Sequence, residues 1–164
     1  TPAISLTHYY AGDLTPSKLL SYTSIQTLGA LLAGVVAVFE GLDIVPSAPA
    51  STPLLILSAE VLFAFLLCLI HINVLSARGV KAGKEGNGYF GLAMGFTLLA
   101  GFVSVGGVSG GIFNPATGVG LYLANGATGG GFSLGSVLYY VIGPAIGARF
   151  AAIAHAYQQG GLSA

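Results

Sequence analysis

Charge is what this sequence most conspicuously lacks. Asp, Glu, Lys and Arg together make up 6% of its 164 residues, and the five basic and five acidic side chains cancel to a net charge of zero. A soluble domain carries about 25% charged residues, so this chain cannot give itself a water-facing surface. A polytopic membrane protein is the reading that remains. So few Lys and Arg form no basic stripe, which excludes nucleic acid as a partner. The single cysteine, Cys68, lies within an apolar run, so there is no disulfide framework and no thiolate metal site; it reads as a packing residue. Tryptophan is absent and Met94 is the only methionine. The sequence starts at Thr1 with no leader before its first apolar segment, so it is expected to be a processed chain or a fragment of a longer one. No Ser-His-Asp order, phosphate loop or carboxylate pair is present, which argues against an enzyme. No cofactor is expected. His8, His71 and His155 stand apart from one another, without the clustering that a metal site needs, and nothing in the sequence requires a role for them.

What the chain does have is apolar length and glycine. Hydrophobic residues make up 54%, glycine occurs 26 times, and the mean hydropathy is +0.86. The length suits a single domain over residues 1–164. Crossing a hydrocarbon core of about 30 Å takes roughly 20 residues. Four stretches qualify, at about 18–42, 54–77, 89–106 and 134–157. Gly29 and Gly34 in the first, and Gly143 and Gly147 in the last, have the small size that lets membrane helices approach closely. Tyr9, Tyr10, Tyr139 and Tyr140 lie near segment ends, where aromatic side chains commonly anchor at the interface.

Between the third and fourth spans lies a stretch that is apolar but broken. Gly110-Gly111 interrupt any continuing helix. Pro115 suits the first turn of a new one, and Asn114 before it is a good N-cap. Residues 115–124 are too short to cross, so they read as a re-entrant half-helix. Thr1-Pro2-Ala3, followed by apolar residues to about position 10, has the same grammar with Thr1 as the cap.

The two halves also match further along. Tyr22 and Leu28-Gly29-Ala30 correspond to Tyr140 and Ile146-Gly147-Ala148, with a few extra loop residues in the second copy, within 126–131. Three spans separate the two half-helices, so they enter from opposite faces, as an inverted-topology repeat. Arg78, Lys81, Lys84, Lys18 and Arg149 all fall towards one face, which the positive-inside rule places in the cytoplasm or its equivalent. Opposed half-helices bring two positive dipole ends, each about half a charge, to one point. Cations are disfavoured there, while the caps Asn114 and Thr1 can offer a polar hydrogen to a small neutral solute.

Ser109-Gly110-Gly111-Ile112-Phe113-Asn114-Pro115-Ala116 resembles the second Asn-Pro-Ala motif of the aquaporin, or major intrinsic protein, family. Residues 22–34, with Gln26 and Gly29-Ala30, resemble its third span. Glu60 stands where the fourth span carries a buried glutamate. Residues 140–151, with Gly143-Pro144 and Gly147-Ala148, resemble the sixth. The resemblance implies an all-α bundle with two re-entrant half-helices and passive passage of water or small neutral solutes through a bilayer, usually as a homotetramer. The pore residues it implies are Thr1, Pro2 and Ala3 with Asn114, Pro115 and Ala116. The outer constriction would be Phe102, Gly111 and Thr117, with Glu60, Gln26, Gly29 and Gly147 as supports. The support expected of Glu60 is to accept hydrogen bonds from the loop backbone near Gly110-Gly111. Three departures stand out: the first motif begins with Thr1, Thr117 replaces the usual arginine, and the family's first two spans do not occur in this sequence. They favour a rival reading, a non-conducting structural subunit of a larger membrane complex.

Overall fold

The computed structural model describes residues 1–43, 51–76, 88–130 and 133–160. Among these are six helices: α1 (Pro2–Tyr10), α2 (Pro16–Phe39), α3 (Pro53–Ser76), α4 (Phe90–Ser109), α5 (Pro115–Ala127) and α6 (Leu134–Gln158). Arg78, Lys81 and Lys84, on which most of the expected orientation rests, lie outside the described residues.

Proline sets where four of the helices begin, at Pro2, Pro16, Pro53 and Pro115. Its fixed φ is already helical and its missing N–H would have no partner in the first turn. Side-chain caps reinforce three starts. Thr15 Oγ1 accepts from the Lys18 N–H, Ser133 Oγ from the Ser136 N–H, and Asn114 Oδ1 from the Ala116 N–H. The α4 helix stops at Gly110, whose φ of 83° is the left-handed cap conformation that glycine adopts without steric cost. The α2 helix starts at Pro16, earlier than hydropathy alone suggested, because Thr15-Pro16 supplies a cap and a first-turn proline.

Helices α2, α3, α4 and α6 are each long and apolar enough to cross a membrane. They are apolar around their whole circumference, the pattern of helices with lipid on one side and protein on the other. Leu20, Phe39, Leu54 and Val103 all project outward. The α1 and α5 helices, of 9 and 13 residues, lie among the long ones.

Close approach is achieved with small residues rather than with a large apolar core. The α3 helix packs on α6 and on α4, α2 packs on α5, and α1 touches α2, α3, α5 and α6. At Gly147 an added Cβ would lie 2.6 Å from the Val61 carbonyl oxygen and 2.7 Å from the Phe65 nitrogen. At Gly143 it would meet the Glu60 Cβ at 2.8 Å. Backbone-to-backbone packing of this kind needs glycine. Gly34 serves α2 in the same way, facing Ala124 of α5. Gly29 does not: among the described residues a Cβ there meets nothing within 4 Å. Ala3, Cys68, Ala148 and Ala151 form a buried cluster where α1, α3 and α6 meet. Tyr140 is not an interfacial anchor but one of the largest fully buried side chains.

Candidate functional site

The site begins where α4 ends. Gly110 and Gly111, with φ of 83° and 66°, turn the chain back on itself, and Phe113 also takes a positive φ, 47°. Outside glycine that conformation is uncommon and is held only where surroundings impose it. Here they do. The Phe113 ring is buried and packs beside Phe63, with centroids 5.3 Å apart. Gly101 leaves it room, since a Cβ there would sit 2.5 Å from the ring.

Residues 109–113 are tied down by one carboxylate. Glu60, on α3, is fully buried. Its Oε1 accepts from Ser109 Oγ at 2.7 Å and from the Ile112 N–H at 3.2 Å, and its Oε2 accepts from the Phe113 N–H at 2.7 Å. A buried carboxylate needs such partners, and the backbone N–H groups of a turn need acceptors equally. The backbone donors lie just past the Gly110-Gly111 pair. The donors are Ile112 and Phe113, because the two left-handed glycines rotate the next N–H groups towards α3. The Gly111 N–H instead donates to Ser109 Oγ at 3.2 Å. Tyr140 completes the support, its hydroxyl donating to the Ser109 carbonyl at 2.8 Å. Sequence reading missed both Ser109 and Tyr140 in this role. The signal was a serine beside a glycine pair and a tyrosine repeated in both halves.

Asn114 then opens α5. Its side chain has two partners: Oδ1 accepts from the Ala116 N–H at 3.2 Å, and Nδ2 donates to Thr117 Oγ1 at 2.6 Å. The amide is thereby fixed at both ends and keeps one free hydrogen. Thr1 occupies the corresponding place before α1, but its side chain makes no capping bond, contrary to expectation. The Thr1 hydroxyl is buried without a partner among the described residues, and the carbonyl joins the helix, accepting from the Ser5 N–H.

Thr1, Phe102, Gly111, Asn114 and Thr117 all line one cavity of about 740 Å³. Phe102 and Gly111 touch, with a Cβ on Gly111 falling 2.8 Å from the Phe102 ring. Pro2 and Pro115 line a neighbouring apolar groove together, and Ala3 and Ala116 are buried behind them. Gln26 stands apart from the cavity and donates to Ser5 Oγ at 3.4 Å. Gly147 lies against α3, and Gly29 against nothing among the described residues. Among the described residues no group of three His, Cys, Asp or Glu could hold a metal ion.

A bundle of long apolar helices around a cavity lined by few polar groups defines an integral, multi-pass membrane protein. The chain matches the Major intrinsic protein family over residues 1–155, and it belongs to that family. Members are channels for water or small neutral solutes and not enzymes. No curated protein matches the chain.

Proposed function

We propose that the cavity is part of a conducting pathway for water or another small neutral solute. In this reading α1 and α5 are re-entrant half-helices, related as an inverted repeat and entering from opposite faces of the bilayer. The observation that carries it is that Thr1 and Asn114, each preceding a proline-started short helix, line the same cavity. The free amide hydrogen of Asn114 and the unpartnered hydroxyl of Thr1 would bind the solute's oxygen in passing. Phe102, Gly111 and Thr117 would form the outer constriction, one with no fixed positive charge. Both helix N-termini would present positive dipole ends that oppose cations. Glu60 would hold the turn that aims Asn114. A homotetramer is the expected assembly.

The test is stopped-flow osmotic shrinkage of proteoliposomes containing the full-length protein. Water or neutral-solute flux above the lipid background is expected, reduced by Asn114→Asp, which replaces the free donor with acceptors. Flux equal to the background in every solute tried would leave the second reading, a structural subunit of a larger membrane complex. That reading is favoured by α2, where Gly34 is the only buried residue.

A further inference from the structure

Among the described residues α2 and α6 do not pack on each other, because α1 and α5 stand between them. The gap that remains is the apolar groove, of about 420 Å³, in which Pro2 and Pro115 meet. Leu19 and Leu20 of α2 form one wall, Val141 and Ala145 of α6 the other. At the end away from Pro115 the groove is bounded by Tyr9 and Pro16. It follows α1 from Pro2 to Tyr9, about 10 Å at a rise of 1.5 Å per residue. One leaflet's share of a hydrocarbon core is about 15 Å. With α1 running from the midplane to one face, as in the reading above, the groove lies within a single leaflet.

The Tyr9 end is also the charged end. Arg149 stands one turn beyond Ala145 on α6, and a spacing of four keeps both on one helix face. Its guanidinium lies 4.7 Å over the Tyr10 ring, and the Tyr9 and Tyr10 centroids are 5.6 Å apart. Both tyrosines and Arg149 are exposed. The ion pair among the described residues is His8–Asp13, so no carboxylate there neutralises Arg149. Lys18, exposed on α2 off the face of Pro16 and Leu19, adds a positive charge at the same level. Tyrosine favours the membrane interface, and arginine's long stem lets its head reach from apolar surroundings to the polar boundary.

We propose that this groove binds one anionic phospholipid. An acyl chain lies along α1 between α2 and α6 with its end against Pro2 and Pro115, and the headgroup phosphate pairs with Arg149. The planar guanidinium matches phosphate geometry, and basic sites between membrane helices attract anionic headgroups. A helix about 10 Å across would fill about 800 Å³ over the length of the groove, more than the groove holds. An acyl chain is thin enough to lie in it. The bound chain braces the two prolines that start α1 and α5. The single-leaflet placement rests on the half-helix reading above; the groove and its charged end do not.

Full-length protein stripped of lipid in detergent, then titrated with phosphatidylglycerol or with phosphatidylcholine of the same acyl chains, tests this. Native mass spectrometry counts bound lipid, and thermal unfolding reads its effect. One phosphatidylglycerol per chain should bind, several-fold more tightly than phosphatidylcholine, and should raise the unfolding midpoint. Arg149→Gln should bring the two lipids to equal affinity, whereas Lys18→Gln should keep most of the preference. Ala145→Phe fills the groove and should remove the bound lipid; Leu20→Trp, at an exposed position of the wall, should do the same without disturbing the core. Equal binding of both lipids by the wild type overturns the inference. So does a preference that survives Arg149→Gln or falls equally in Lys18→Gln, the sign of diffuse attraction. Lipid binding unchanged in both groove-filling variants, or a second copy of the chain lost from the complex in them with no lipid effect, overturns it as well. Neither measurement reads flux, so a protein that fails to conduct can still pass this test, and one that conducts can fail it.

Discussion

The backbone N–H of Phe113 donates to the carboxylate of Glu60 at 2.7 Å, joining residues 53 positions apart in sequence. Together with Ser109 and Ile112 it gives a fully buried acid three hydrogen bonds. Glu60→Gln keeps the volume but turns one acceptor into a donor that faces other donors. Leaving a buried group unsatisfied costs about 1–3 kcal/mol. Thermal unfolding in detergent should show a clearly lower midpoint for this variant. An unchanged midpoint would mean that the turn is held by something else.

Thr117 Oγ1 takes one of the two amide hydrogens of Asn114. Thr117→Ser should preserve that bond and Thr117→Val should break it, at a stability cost of about 1 kcal/mol. Wild-type, Ser and Val proteins reconstituted at equal density should therefore fall into two groups. The valine variant should have altered solute flux and a different ratio of water to solute permeability. Three indistinguishable proteins would argue that Thr117 does not orient the amide.

Tyr140→Phe removes only the hydroxyl that reaches the Ser109 carbonyl. The carbonyl is left buried with no replacement, so a loss of about 1–2 kcal/mol is expected. Combined with Glu60→Gln, the two losses should be non-additive, because both act on Ser109. A double-mutant cycle with a coupling energy near zero would contradict a shared network.

Gly147 and Gly29 occupy matching places in the repeat but different surroundings. Gly147→Val should abolish stable folding, because backbone atoms of α3 stand within 2.7 Å of its added Cβ. Gly29→Ala meets no atom of the described residues and should raise the helix stability of α2, by about 1 kcal/mol. Helical content and thermal midpoint in detergent read out both. A destabilised Gly29→Ala protein would reveal that something packs onto α2 in the assembled protein.

Composition and the four apolar runs were enough to read a polytopic membrane protein, and the Asn114-Pro115-Ala116 stretch carried the family. Helix starts were legible wherever proline and a cap coincide. Which face of each span packs inward was not. These helices are apolar all round, so periodicity carries no directional signal; contact is decided by where small residues let backbones meet. That is why Gly29 and Gly147 looked equivalent in sequence and differ in space. Tyr140 misled for a related reason. A tyrosine near a span end satisfies the interface rule and a buried hydrogen bond equally well, and only the position of the Ser109 carbonyl distinguishes them.

The mooring of residues 109–113 to α3 has a mechanical consequence. Only Gly101 and Ser109 of α4 are buried, so most of that helix lies open to its surroundings. The chain reaches Asn114 by way of α4, yet the turn that aims Asn114 is fastened to Glu60 on another helix. Bilayer thinning or lateral tension that tilts α4 would therefore be absorbed at the Gly110-Gly111 joint before it could rotate the amide. A span that is largely exposed is then poorly placed to disturb the turn that aims Asn114.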